Sequence, residues 1–392
     1  MTLPLNPAMA ATDPPPVPEA RRWLEGVTFP PGRPLINVSQ AAPVDPPPEA
    51  LRQAIAEASL NDPTAHLYGP VLGMPELREQ IAREWTEAYG GRIAAAEVAI
   101  TQGCNQAFCA TMATIAGPGD EVILPTPWYF NHKMWLDMQG IKTVPLASGA
   151  GLIPDPEAAM PLINARTKAI VLVTPNNPGG VEYPAEVVQA FFDLAIQRGI
   201  ALIVDETYRD FDGRSEAPHD LFADPDWRGT LIQLYSFSKA YRLTGHRVGA
   251  MIADRARLAE VEKFQDTVAI CPSQLGQHAA LWGMRNLGEW LKGEREEILR
   301  RRAAIEAGLK KLEGWRLLGC GAYFAYVEHP FEMPSDQLAR RLVAEAGVLM
   351  LPGTMFNPPD DPAGGRELRI AFANIGVEEI GTLMDRLRAV RF

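Results

Sequence analysis

Lys239 follows an apolar run, LIQLYSF (231–237), within the stretch SFSKAYRLTGHRVG that covers residues 236–249. Ser236 and Ser238 flank its approach, and Arg247 stands eight residues further on. An unpaired ammonium at the end of a buried strand is costly. Such a lysine is either covalently occupied or shares, with Arg247, an anion large enough to satisfy both cations.

Strand-forming runs recur along the chain: VAIT (98–101), EVIL (121–124), AIVLV (169–173), ALIVD (201–205) and LIQLYSF (231–237). Helical periods such as AEVVQAFFDLAIQRG (185–199) separate them. This alternation predicts an α/β fold with a mostly parallel sheet covered by helices on both faces. Residues 1–50 are Pro-rich, with proline runs at 14–16 and 46–48, and are expected to form an arm laid over the rest. Residues 51–284 are expected to form the large domain. A long charged helix near residue 285 opens a smaller α+β domain, residues 285–392.

Ligands of open α/β sheets bind beyond the carboxyl ends of the strands. After VAIT come Gly103, Cys104 and Asn105, a tight turn into a helix whose first N–H groups suit a phosphate. After EVIL come Trp128 and Tyr129, either of which can cover a flat ring. The later strands deliver Asn177, then Asp205 and Tyr208, then Ser238 and Lys239. An anion hole, a ring platform, an amide, a carboxylate and a lysine at one edge suit a flat, phosphorylated, aldehyde-bearing pyridine, which is pyridoxal 5′-phosphate. Lys239 would condense with the aldehyde. Ser236, Ser238 and Arg247 would hold the phosphate, with arginine offering planar multi-donor geometry. Asp205 would keep the pyridine nitrogen protonated, making the ring an electron sink. Asn177 and Tyr208 would bond its phenolic oxygen.

The motifs YGPVLGMPELREQI, PGDEVILPTPWY, TPNNPGG, VDETY, SFSKAYRLTGHRVG and LRIAFAN resemble those of the class I/II aminotransferases, from about Leu51 to Arg369. The resemblance implies the fold-type I architecture of these enzymes, with a seven-stranded-type central sheet and a smaller α+β domain. It places the family's cofactor lysine on Lys239, its pyridinium acid on Asp205, its phosphate arginine on Arg247 and its ring-stacking aromatic on Tyr129. It places the substrate α-carboxylate arginine on Arg369, with Asn177 beside it. Tyr68 matches a tyrosine that reaches the neighbouring subunit's phosphate, which implies a homodimer. GCNQAF, TPWYFNHKMW and KFQDTVAICPSQ resemble a subgroup acting on methionine and aromatic amino acids. Two departures stand out. Gly179 replaces the family's usual threonine after Asn177-Pro178, and the usual glycine near the substrate carboxylate is replaced by Ala41 or Ala42.

Blander readings exist for several of these residues. Asp205 could be a helix cap, Asn177 a turn residue, and Arg369 an exposed strand arginine. His66, His132 and His246 show no partner pattern, and Cys104 is expected to offer only its backbone N–H. The net charge of −11 argues against a nucleic-acid partner. No apolar run reaches membrane-spanning length, and the N-terminal stretch lacks the features of a secretory signal. Cys104, Cys109, Cys271 and Cys320 form no C-x-x-C pair, so no metal site is expected. These features suggest a cytoplasmic enzyme with free thiols.

Transamination between an amino acid and a 2-oxo acid is the leading expectation. A carbon–sulfur β-lyase on the same fold is the alternative, and a cofactor-sensing transcription regulator is disfavoured by the charge and by the short, Pro-rich N-terminal segment. The segment of residues 263–284 contains no arginine, so a second carboxylate on the donor would lack a partner there. Trp128, Tyr129, Phe130, Trp23 and Phe29 are expected to wall an apolar side-chain pocket.

Overall fold

The computed structural model describes residues 3–391. Its strands are β1 (Ile36–Asn37), β2 (Val98–Thr101), β3 (Glu121–Thr126), β4 (Lys142–Ala147), β5 (Thr167–Val173), β6 (Ala201–Asp205), β7 (Leu231–Ser236), β8 (Gly249–Ile252), β9 (Arg316–Gly321), β10 (Phe324–Glu328), β11 (Val348–Leu349), β12 (Leu351–Pro352) and β13 (Glu367–Ile370). Seven of them form the main sheet in the order β2-β8-β7-β6-β5-β3-β4. Strand β8 runs antiparallel to both neighbours, and the other pairings are parallel. The mostly parallel sheet expected from the strand–helix alternation is therefore present.

Of the inner strands, β3, β7 and β8 are buried along their whole length and β5 and β6 at all but one residue each, as a sheet covered on both faces requires. Helix Ala185–Arg198 shows how the cover forms. Val188, Phe191, Phe192 and Ala195 recur at helical spacing and are fully buried. Each phenylalanine contributes about 1.5–3 kcal/mol by leaving water. Gly199 stops the helix with φ +64°, a left-handed cap that disfavours residues with a Cβ.

A second, antiparallel sheet has the order β12-β13-β10-β9. Helix Gly288–Leu309, the long charged helix of the sequence, packs its buried Ile298, Ile305 and Leu309 into the same apolar cluster as β10 and β13.

The N-terminal arm is not simply extended. It forms short helices at Pro7–Ala11 and Pro16–Arg22. Pro7 and Pro16 each occupy the first helical position, where a missing N–H costs nothing, and the Asn6 side chain caps the Ala8 amide at 3.0 Å. The arm then pairs β1 in parallel with β11. Just beyond β1, the Ser39 carbonyl accepts from Arg369 and the Ala41 carbonyl from Lys239.

Candidate active site

A cavity of about 420 Å³ opens where the carboxyl ends of β2, β3, β5, β6 and β7 converge. Cys104, Asn105, Tyr129, Asn177, Asp205 and Tyr208 line it, together with Ser236, Ser238, Lys239, Arg247 and Arg369. Residues up to 265 positions apart in the chain are thus gathered at one sheet edge, from Cys104 to Arg369.

At one end lies an anion cradle. Helix Cys104–Ile115 points its N-terminus at the cavity, and Gly103 precedes it with φ +81°. A Cβ at Gly103 would collide with the Arg247 guanidinium, so glycine is what allows that close approach. Arg247 itself adopts φ +51° and donates from Nη1 to the Thr244 carbonyl at 3.0 Å and to Ser238 Oγ at 3.4 Å. Ser236 Oγ accepts from the Ser238 amide at 3.2 Å. A helix N-terminus, two hydroxyls and a guanidinium are the donor set of a phosphate site.

Lys239 Nζ donates to the Ala41 carbonyl at 2.8 Å and sits 5.9 Å from the Tyr208 ring centre. Burial first, and then the charges of Arg247 and Arg369, lower its pKa to about 8. A depressed amine of this kind is the reactive form for condensation with a carbonyl.

Asp205 ends β6 fully within the protein. Its Oδ1 accepts from the Thr207 amide at 3.0 Å, and its Oδ2 lies 3.3 Å from His132 Nε2. Burial pushes this carboxyl up, but the His132 contact and the Thr207 bonds outweigh it and hold the group below its ordinary range. The carboxylate therefore stays charged, as a partner for a protonated pyridine must. His132 in turn stacks on Phe108, with ring centres 3.9 Å apart. No sequence pattern assigns His132 a role. Its only signal was position: it lies three residues after Tyr129, in the first turn of helix Phe130–Met138, which starts just past the end of β3.

Arg369 lies on β13, 2% exposed. Its Nη1 donates to Asn177 Oδ1 at 2.8 Å and its Nη2 to the Ser39 carbonyl. Its Nε is buried without a partner. Desolvation lowers its pKa to about 10, still charged at neutral pH. A buried guanidinium on a central strand is not the exposed strand arginine of the blander reading.

Cys104 is buried. Desolvation, followed by the Asp205 charge, pushes its thiol far above the ordinary range, so it stays protonated.

Two sequence expectations change here. Trp128 does not line this cavity; it is buried in an apolar cluster with strand and helix residues and lines a neighbouring cavity, while Tyr129 lines this one. Trp23 and Phe29 pack against a cluster of Tyr326, Val343 and Phe356, and the arm lines the cavity with Pro15, Val17 and Pro18 instead. The short helix Pro16–Arg22 and its preceding Pro15 place Pro15, Val17 and Pro18 there. Tyr68 is 79% exposed and lies outside the cavity of this single chain.

The residues present fit pyridoxal phosphate: a phosphate cradle at one end, a lysine and a charged carboxylate across a flat slot, and an aromatic side chain beside it. Comparison with known proteins agrees. Residues 33–387 match the family model "Aminotransferase class I and II". Aspartate/prephenate aminotransferase from Thermus thermophilus is 28% identical, over 82% of this chain and 84% of that protein. Aromatic aminotransferase ISS1 from Arabidopsis thaliana is 28% identical, over 87% of this chain and 86% of that protein. A solved structure of Thermus thermophilus aspartate aminotransferase, a single mutant, superposes with TM-score 0.88 at 27% identity, covering 99% of each chain. The chain belongs to the aminotransferase class I and II family, and it is a pyridoxal-phosphate-dependent transaminase.

Proposed function

We propose that this transaminase takes its amino group from a neutral, bulky L-amino acid such as methionine, phenylalanine, tyrosine, tryptophan or leucine, and passes it to a 2-oxo acid in two alternating half-reactions. The observation that carries this reading is the cation inventory of the cavity. Among the described lining residues the cations are Lys239, Arg247 and Arg369. Lys239 holds the cofactor carbonyl and Arg247 the phosphate, which leaves Arg369 for the α-carboxylate. A second carboxylate on the donor would face Tyr129, Phe130 and the prolines of the arm without a partner.

Each remaining residue has one task. Ser236, Ser238 and the amides after Gly103, those of Cys104 and Asn105, join Arg247 on the phosphate. Tyr129 covers the ring, and Asn177 and Tyr208 hold its oxygen substituent. Asp205 holds the proton on the ring nitrogen. Bound pyridoxal phosphate supplies an electron sink for charge developing at the donor α-carbon. Lys239 Nζ, freed when the donor amine takes its place, would remove the α-proton and deliver it to the carbon that had carried the cofactor's aldehyde, so one side chain serves as nucleophile and as general base and acid. Tyr68 completes the phosphate site of a second copy, making the working unit a homodimer in the cytoplasm. Residues 51–284 hold the cofactor, and 285–392 form the smaller domain that carries Arg369.

A dicarboxylate donor is the second reading, favoured by the name of the Thermus relative. Lys263, the basic residue that opens the arginine-free segment, does not supply the missing cation within this chain. It is exposed on helix Arg255–Ala269 and pairs with Glu260 at 2.8 Å. The test is kcat/KM for the neutral bulky donors against aspartate and glutamate with one fixed 2-oxo acid. At least a tenfold preference for a neutral donor is expected. A tenfold preference for aspartate would replace this reading with the dicarboxylate one. Ammonia release without a 2-oxo acid acceptor would instead indicate the carbon–sulfur lyase.

A further inference from the structure

A second cavity of about 390 Å³ lies next to the first, lined in part by Trp128, Phe130, Met134, Thr354, Met355 and Asn357. Among the described residues, Phe130 is common to both linings. The arm roofs both, with Pro15, Val17 and Pro18 over the first and Pro14 and Pro16 over the second. The Arg369 guanidinium lies 5.9 Å from the Phe130 ring centre. Phe324 and Phe356 lie nearer, at 5.0 and 4.9 Å, but outside the first cavity's lining, so Phe130 is the ring that a donor held by its α-carboxylate on Arg369 can meet. That ring is only partly buried, and it touches Tyr129 and Phe356 at 5.3 and 5.7 Å between centres.

The space behind Phe130 suits an aryl group. Trp128 is an aromatic wall, and Met134 and Met355 offer thioethers, which pack well against rings. A distal carboxylate is disfavoured there. Lys133 is already held by Asp137 at 2.5 and 2.6 Å, Glu19 is matched by Arg22 at 2.7 Å, and Asp13 adds negative charge to the lining.

We propose that the second cavity is a distal subsite for the side chain of the amino donor, and that Phe130 is the partition which a long aryl side chain turns aside to enter it. The proposal rests on the reading that Arg369 binds the α-carboxylate of a bulky neutral donor. It names the class favoured within that set: amino acids whose aryl group is carried on a chain longer than one methylene, with no terminal carboxylate.

Binding and turnover test it separately. ω-Phenylalkanoates with one to five methylenes, which lack the amino group, are titrated calorimetrically into the holoenzyme. The matching 2-amino acids are assayed for kcat/KM. Met355→Trp fills the second cavity from its far wall, and Thr354→Trp, at an exposed position, does so with less demand on folding. Affinity in the wild type is expected to rise with length by about threefold to fourfold per added methylene once the ring passes Phe130. Either tryptophan variant is expected to weaken the longest acid at least tenfold and leave the shortest within twofold. Phe130→Ala is expected to favour the long acids further. Equal binding of long and short acids by the wild type, or equal weakening of both by Met355→Trp and Thr354→Trp, would overturn the subsite. A length-dependent gain in binding without turnover of any bulky donor would uphold the subsite and contradict the donor preference. Turnover of bulky donors without that length dependence would do the reverse.

Discussion

His132 Nε2 lies 3.3 Å from Asp205 Oδ2, and both side chains are 3% exposed. A buried carboxylate without partners would rise in pKa and become neutral. This one is held ionised by an imidazole that is itself fixed by stacking on Phe108. The pair explains how an acid placed at the end of a buried strand keeps the charge its task requires.

Removing the imidazole while keeping its shape should weaken that arrangement. His132→Phe is expected to cost about 1.5–3 kcal/mol, the worth of a hydrogen bond to a charged group, read as a one- to two-order loss in kcat/KM. His132→Asn, which can still donate to Asp205, should recover part of it. The two variants are compared with Asp205→Ala, which should lose more than either. Wild-type kcat/KM in His132→Phe would show that Asp205 needs no such partner.

The depressed pKa of Lys239 makes a stability prediction for the cofactor-free protein. The folded value, about 8, lies below the ordinary 10.5. The stabilising contribution is therefore fully present above pH 10.5 and is lost as pH falls through 8, where the lysine must charge within the protein. The cavity screens part of this, so the change across the window is on the order of 2 kcal/mol. The difference in denaturation free energy between Lys239→Met and wild type, both without cofactor, should shift by that amount between pH 8 and 10.5. Parallel curves would mean that Lys239 titrates as an ordinary lysine.

Much of the site was legible because each strand-forming run is followed at once by its functional residue. Asp205 ends β6, and Lys239 follows β7 by three residues. Those positions need only local reading. His132 was missed because its partner lies 73 residues away, on a different element, and a single histidine in a helix carries no spacing signal of its own. Strands β4 and β8 were missed for other reasons. Strand β4, KTVPLA, is an edge strand that contains Pro145 and is mostly exposed or half-buried. Strand β8 is only four residues, Gly249–Ile252, and begins with glycine. Aromatic character alone points Trp23 and Phe29 to the pocket, whereas tertiary packing sets them, half-buried, against a cluster of Tyr326, Val343 and Phe356.

Tyr68 is 79% exposed beside Leu67, which is 63% exposed, and the neighbouring Gly69 amide contacts Cys271 Sγ at 3.4 Å. If Tyr68 reaches a second copy's phosphate cradle, cofactor affinity depends on assembly. Tyr68→Phe is expected to weaken cofactor binding by about 1.5–3 kcal/mol, and dilution below the dimer dissociation constant should release cofactor. Equilibrium dialysis alongside sedimentation velocity measures both. A monomer that holds its cofactor as tightly as the assembled protein would remove Tyr68 from the site.

In the proposed mechanism Lys239 carries the cofactor and moves the proton. The most direct measurement is borohydride treatment of the active enzyme followed by peptide mass mapping, together with turnover of Lys239→Ala. The expected result is a single cofactor-modified lysine, Lys239, and a variant that still binds cofactor through Arg247, the serines and Asp205 but has lost nearly all turnover. Modification of a different lysine, or substantial turnover by Lys239→Ala, would contradict it.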